Sequence, residues 1–149
     1  MAASPPADCD IKLLKRAFWT DGIPIPTGAT IPSGVELKYL LYVNNPGAAL
    51  SDVTVRDVLD PAFLYQAGTI QVDNSVAECV LAVCTTAEEL AIFTAVDGAP
   101  FLSDAVDGDA ASYTGASLSV DAGNGNVGNL QLDINADAVW AILFSVKIP

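Results

Sequence analysis

Three closely spaced aspartates form the densest group of side chains able to bind a ligand. Asp104, Asp107 and Asp109 lie in one short segment, and Gly108 gives that segment conformational freedom. Ca²⁺ prefers carboxylate and carbonyl oxygens in flexible loops, but the group lacks the spacing and the closing bidentate Glu of an EF-hand. Two interpretations therefore stay open, a calcium site that recruits further oxygen ligands and a solvated acidic turn, and the turn is the simpler of the two.

The lack of histidine limits the catalytic chemistry of this chain. No His occurs among the 149 residues, which excludes Ser-His-Asp and Cys-His activation of a nucleophile, the common zinc sites and the usual acid–base group at neutral pH. The 18 Asp and Glu residues are most simply interpreted as solvated carboxylates. We expect no enzymatic activity and no cofactor, calcium excepted.

One glycine pattern resembles a nucleotide-binding motif. Gly123-Asn-Gly125-Asn-Val-Gly128 fits G-x-G-x-x-G, which binds pyrophosphate only where a helix begins directly after it. Here the alternating apolar residues of Leu130–Ile134 follow, with the period of a strand. The pattern therefore predicts a hairpin loop between two strands.

The three cysteines have several possible states. Cys79 and Cys84 are separated by four apolar residues just before a helix-like segment, and such a short loop can close into a disulfide in an oxidising compartment. A metal pair is less favoured, because two thiolates do not complete a site. All three could instead be buried apolar side chains. If the pair is bonded, Cys9 is left as a free thiol or as a bond to another copy.

Charge is large and unevenly placed. The formal net charge of −12 repels nucleic acid and anionic membranes, so we expect neither as a partner. Residues 57–146 contain no Lys or Arg, whereas Lys12, Lys15 and Arg16 form a basic cluster near the N-terminus. This cluster is either a charged guard on a solvated strand edge or a basic arm that docks on the acidic body of a neighbouring copy.

The hydrophobic pattern predicts an all-β protein of about seven strands. Period-two alternation indicates strands over Asp10–Trp19, Val35–Asn44, Val53–Leu59, Gln66–Val72, Ser117–Asp121, Asn129–Ile134 and Ala138–Ile148. Two overlapping capping boxes, Thr85 with Glu88 and Thr86 with Glu89, predict a short helix over Ala87–Val96, with Leu90, Phe93 and Thr94 at helical spacing.

The last strand is apolar on both faces, so we expect it inside a sheet. Trp140, Ile142 and Phe144 share one face, and Val139 and Leu143 share the other. The longest apolar run, 138–144, is too short to span a bilayer. The domain prediction is an extended tail over residues 1–9 and one β-sandwich over 10–149, with an insertion over about 73–112.

A family resemblance rests on the middle of the chain. The series Pro32-Ser33-Gly34, Tyr39–Val43, Asn44–Gly47, Val53–Leu59 and Pro61–Tyr65, preceded by Ile11–Lys15 and closed by Phe144–Ile148, resembles the conserved-repeat domain of prokaryotic surface proteins, the domain of unknown function eleven. The resemblance implies an immunoglobulin-like Greek-key β-sandwich that acts as a stalk, adhesive or assembly unit at the cell surface or outside the cell. It implies no catalytic residue, and it favours a bond between Cys79 and Cys84.

Two function classes follow. The first is a structural subunit of an extracellular filament or surface assembly, whose copies associate head to tail as a homopolymer. In this interpretation the N-terminal segment adds a strand to the next copy through Ile11, Lys12, Leu13, Leu14, Lys15, Arg16, Phe18 and Trp19. The second is a monomeric adhesin or decoration module, in which the same segment is the first strand of its own sandwich.

Overall fold

The computed structural model describes residues 11–81 and 83–149. Alternating apolar residues form two antiparallel sheets, and one helix packs outside the first sheet. The elements are β1 (Leu13–Trp19), β2 (Glu36–Asn45), β3 (Leu50–Val58), β4 (Leu64–Tyr65), β5 (Gln71–Ala77), α1 (Thr86–Asp97), β6 (Ala111–Thr114), β7 (Ser119–Gly123), β8 (Leu132–Ile134) and β9 (Ala138–Lys147). The predicted all-β sandwich with one short helix is thus confirmed.

The larger sheet has β2 and β9 at its centre. β2 pairs with β1 on one side and with β9 on the other, and β9 then pairs with the short β4 and with β5. Among the residues that the structure describes, β1 is therefore an edge strand with β2 as its single strand partner. In the smaller sheet, β3 pairs with both β7 and β8, and β7 also pairs with β6.

Two apolar cores hold the layers together. The first lies between the sheets and includes Trp140, Ile142 and Phe144, whereas the second lies under α1 and includes Val139 and Leu143. β9 contributes alternate residues to the two cores, and only its last residue is exposed. The prediction that this strand lies inside a sheet with both faces buried is confirmed.

Helix α1 begins where the sequence predicts, but it faces the sheet with a different set of residues. Thr85 is the N-cap and forms the capping box with Glu88. The second predicted box does not form, because Glu89 turns towards the sheet together with Ile92, Phe93 and Val96. Leu90, predicted at helical spacing with Phe93, is 45 % exposed.

Three strand predictions need correction. The predicted strand Gln66–Val72 is interrupted by a turn at Gly68, whose φ is 72°, so that β5 begins only at Gln71. The four-residue strand β6 was not predicted, and it crosses the end of the predicted insertion over about 73–112. The segment between β5 and β6 covers residues 78–110. The described residues form nine strands, against about seven predicted.

The hairpin predicted around Gly123–Gly128 is also wrong. β7 and β8 both pair with β3, and no pairing joins them to each other. Gly123 at the end of β7 lies opposite Thr54, and Leu132 at the start of β8 lies opposite the adjacent Val53. The loop between them therefore passes from one side of β3 to the other at nearly the same position along that strand. The immunoglobulin-like Greek-key connectivity stays a prediction, and the tail prediction for residues 1–9 lies outside the described residues.

Candidate assembly site at the edge strand

β1 brings most of the predicted assembly residues together on one strand of its own body. The strand runs antiparallel to β2, with Leu13 opposite Val43 and Trp19 opposite Leu37. This is the arrangement that the second interpretation predicts for a single chain. Donation of the strand to another copy stays a prediction.

The two faces of β1 contact different cores. Ile11 and Ala17 pack against the core between the sheets, and Leu14 and Phe18 pack against the core under α1. Phe18 is only 1 % exposed, and its ring centroid lies 4.7 Å from that of Phe93 on the helix. These four apolar residues therefore stabilise the sandwich, whereas Leu13 is exposed.

Arg16 joins β1 to the helix through a partly buried carboxylate. Its Nε donates to Glu89 Oε2 over 3.0 Å, and the hydroxyl of Tyr42 donates to the same oxygen. The Glu89 side chain is 11 % exposed. Burial, together with the hydrogen bond to this carboxylate, raises the pKa of Tyr42 above its ordinary value. One carboxylate thus connects β1, β2 and α1.

Lys15 joins β1 to the opposite sheet. Its Nζ lies 2.8 Å from Asp57 Oδ2 on β3 and 4.3 Å from the ring centroid of Tyr39. Burial, and then the charges of Asp57 and Asp60, raise the pKa of Tyr39. Lys12 is exposed. Two members of the predicted basic cluster therefore pair with acids of the main body within one chain.

The outer edge of β1 is covered only in its second half. The connection to β2 folds back, so that Ile25 N–H donates to Ala17 O and Trp19 N–H donates to Ile23 O, both over 2.9 Å. By strand alternation, Leu13 and Lys15 direct their backbone groups to the same edge. Among the described residues, no backbone hydrogen bond covers that edge at Leu13.

A solvent-open cavity of about 690 Å³ lies where the connection turns away from β1. Its walls combine the charged Lys15 and Arg16 with Tyr39 and an apolar stretch of the connection, lined by Ile25, Pro26 and Ile31. The cavity is therefore adjacent to the uncovered part of the strand edge.

Cys79 and Cys84 form a disulfide, as predicted, and both are buried. The amide of Asn44 on β2 fixes the first turn of this loop, because its Nδ2 donates to Cys79 O and Leu81 O and its Oδ1 accepts from Cys79 N–H. This arrangement favours the disulfide over a metal pair or free buried thiols for these two cysteines. Cys9 lies outside the described residues.

The three aspartates of the calcium prediction have separate local roles. Asp104 accepts from the Tyr65 hydroxyl over 2.6 Å and from Gly68 N–H over 3.0 Å. Asp107 accepts from the Ser103 hydroxyl, which lowers the pKa of that carboxyl, whereas burial raises the pKa of Asp109. Within residues 11–81 and 83–149, no group of three or more Cys, Asp or Glu side chains could hold a metal ion. Calcium binding stays a prediction, and the arrangement of these three carboxylates does not support it.

Comparison of the chain with family models, with curated proteins and with solved structures gave no significant match. The resemblance to the conserved-repeat surface domain therefore stays a prediction. In the described part of the chain, no helix is long and apolar enough to cross a membrane.

Sequence reasoning missed Glu89, Tyr42 and Asn44 as contributors to this site. Glu89 carried a signal, since it belonged to the second of two capping boxes that cannot both form. Tyr42 and Asn44 carried none, because alternation in β2 reports which face a residue occupies and not its partner across the layers.

Proposed function

We propose that this protein is a non-enzymatic structural subunit of an extracellular filament or surface assembly. Copies associate head to tail, because β1 of one copy occupies the position beside β2 of the next. The homopolymer needs no nucleic acid, membrane or cofactor.

The proposal depends on one observation, which is that the strand pairing of β1 and the contacts of its side chains Lys15, Arg16 and Phe18 are made to the part of the chain that begins at β2. The connection adds backbone hydrogen bonds to β1. Phe18 contacts Phe93, Arg16 contacts Glu89 and Lys15 contacts Asp57, and the backbone pairs with residues 37–43 of β2. The covalent link between the strand and this body is the connection over residues 20–35. The body thus presents a complete receiving surface for one basic, amphipathic strand.

Exchange would conserve these contacts between copies. A strand from a second copy with the same sequence can bury the same apolar residues and form the same backbone hydrogen bonds, which is the basis of domain swapping. The cost lies in reorganising the connection, which must give up its three backbone hydrogen bonds to β1. Charge supports the polarity of the contact, although screening over about 8 Å in physiological salt limits its holding strength.

Two further features support a location outside the cell. The bond between Cys79 and Cys84 is compatible with an oxidising compartment. The sequence resemblance to the prokaryotic surface domain implies the same location, with immunoglobulin-like Greek-key connectivity as its finer fold.

Negative-stain electron microscopy and size-exclusion chromatography of the purified protein test this function. We expect filaments or a ladder of oligomers. Deletion of residues 2–19 should give a folded body that does not polymerise, and a synthetic peptide of residues 11–19 should bind this body. A peptide with Phe18→Ala is the matched control and should bind at least tenfold more weakly, because it leaves a buried aromatic site empty.

Two outcomes would count against strand exchange. If the truncated protein forms filaments of unchanged appearance, the N-terminal segment has no assembly role. If the full-length protein stays monomeric at all concentrations and the deletion simply unfolds it, β1 is only the first strand of its own sandwich.

The cavity beside β1 favours a second function, a monomeric adhesin or decoration module. Its mixture of Tyr39, two cations and an apolar wall suits a small polar ligand or an extended peptide. Binding to glycan and peptide arrays tests this function, with Thr27→Trp as a variant that fills the cavity. Binding that Thr27→Trp abolishes, by a protein that does not polymerise, would favour the module over the subunit.

A further inference from the structure

Helix α1 lies over the strand that the proposed function requires to move. Phe93 covers Phe18, and Glu89 accepts from Arg16. Phe93 also covers the turn that follows β1, since a Cβ built on Gly22 would lie 3.0 Å from its ring. The helix therefore contacts both β1 and the start of the connection that would have to unfold.

The helix itself is fixed to the rest of the sheet at both ends. At its start, the Cys79–Cys84 bond and the Asn44 amide hold the preceding loop on β2. At its end, Asp97 Oδ1 lies 2.6 Å from Lys38 Nζ on β2, and Gln71 Nε2 donates to Asp97 O over 2.7 Å. None of these end contacts involves β1, so the helix can retain β1 without depending on it.

We propose that α1 is a latch that sets how readily β1 leaves its own sheet. Glu89 and Phe93 are the two latching contacts, and the disulfide anchors the helix that carries them. Release of β1 requires Arg16 to lose its carboxylate partner and Phe18 to leave its aromatic contact. The destination of the released strand rests on the proposed function, whereas the latch itself is a property of the single chain.

Local opening gives the latch its physical basis. Edge strands and termini open with lower free energies than central strands, and contacts that hold only the edge affect only that local opening. β9 lies between β2 on one side and β4 and β5 on the other, so its amides report opening of the whole domain. A latching residue should change protection of β1 without changing protection of β9.

Amide hydrogen exchange of the full chain, measured under conditions in which it is monomeric, tests the latch. Glu89→Gln keeps an acceptor for Tyr42 but removes the charge that binds Arg16. We expect exchange of the β1 amides to accelerate roughly three- to tenfold relative to the β9 amides. Arg16→Gln should give the same effect, and the double variant should add little, because both changes remove one interaction.

Asp97→Asn is the matched control, since it removes an ion pair between the same helix and β2. It should leave the ratio of β1 to β9 exchange unchanged. Replacement of both bonded cysteines, Cys79→Ser with Cys84→Ser, should raise that ratio by loosening the anchor. Equal acceleration in β1 and β9 for Glu89→Gln would show a general structural role and overturn the latch.

Polymerisation separates this inference from the proposed function. If β1 exchange rises in Glu89→Gln but no variant polymerises, the latch stands and strand donation fails. If the wild type polymerises and Glu89→Gln does so at the same rate with unchanged β1 protection, strand donation stands and the latch fails.

Discussion

At the scale of single residues, Glu89 shows where sequence reasoning reached its limit. Two overlapping boxes, Thr85 with Glu88 and Thr86 with Glu89, specify alternative first turns of one helix, and only the first forms. The choice is made by Arg16 and Tyr42, which lie more than forty positions away and offer Glu89 two hydrogen bonds. Local propensity thus predicted that a helix starts here, and tertiary contacts decided which carboxylate caps it.

The buried phenol of Tyr42 and the half-buried phenol of Tyr65 predict alkaline sensitivity. Burial and hydrogen bonds to Glu89 and Asp104 raise the pKa of Tyr42 and Tyr65 above 10.0. Because the folded pKa lies above the unfolded value, their contribution is complete below pH 10 and is lost as pH rises through and above 10. Each phenol should add at most about 1.4 kcal/mol per pH unit to the loss of stability.

Urea unfolding between about pH 9 and pH 11, roughly one unit either side of the ordinary tyrosine pKa, checks this expectation. Tyr42→Phe and Tyr65→Phe should each flatten the decline in the free energy of unfolding above pH 10. Tyr113→Phe is the control, since the structure gives its hydroxyl no hydrogen bond within the described residues. A decline that is equally steep in the double Tyr42→Phe, Tyr65→Phe variant would contradict the assignment.

At the scale of elements, β9 and the β7–β8 region illustrate what alternation can and cannot predict. The two apolar faces of β9 are visible in sequence, and they required a layer on each side, which the second sheet and α1 provide. The loop from Gly123 onward looked like a hairpin because its glycines permit a tight turn. The pairing of both flanking strands with β3 is a nonlocal choice, which no local turn signal encodes.

Gly123 should be the glycine of this region that tolerates substitution least. Its φ is 68°, and a Cβ there would lie 2.2 Å from Val53 O and 2.9 Å from Leu132 Cβ. Gly123→Ala should destabilise the protein by roughly 3 kcal/mol or more, through backbone strain and the forced movement of β3. Urea unfolding measures this loss.

Gly68 provides a matched control for the glycine prediction. Its φ is 72° but no atom lies within 4 Å of a built Cβ, so Gly68→Ala carries the backbone strain alone, about 1–2 kcal/mol. If the two variants lose equal amounts of unfolding free energy, the close approach of β3 and Leu132 to Gly123 makes no contribution to the destabilisation.

At the scale of the whole molecule, charge segregation along the chain becomes charge pairing in space. Each of the four ion pairs within the described part of the chain joins a base from residues 15–56 to an acid from residues 57–121: Lys15 to Asp57, Arg16 to Glu89, Lys38 to Asp97 and Arg56 to Asp121. The sequence left two interpretations of the basic cluster open, a charged guard on a solvated strand edge and a basic arm that docks on the acidic body of a neighbouring copy. It could not predict whether the acidic body belongs to the same copy, because both arrangements satisfy the same contacts.

A cross-link between β1 and β2 tests strand exchange most directly. Leu13 lies opposite Val43, and by the hydrogen-bonding pattern of β1 this is a pair without mutual backbone bonds, whose Cα atoms lie about 4.5 Å apart and suit a disulfide. The variant carries Leu13→Cys and Val43→Cys, with Cys9→Ser to remove the third native cysteine. The single variants Leu13→Cys and Val43→Cys in the same background are the controls.

After assembly and mild oxidation, non-reducing gel electrophoresis separates the two arrangements. We predict a ladder of covalent multimers for the double-cysteine variant, because β1 of each copy is bonded to β2 of the next, and no ladder for either control. Monomers that contain the new bond internally, whether or not filaments are present, would show that β1 stays on its own body and would contradict assembly by strand exchange.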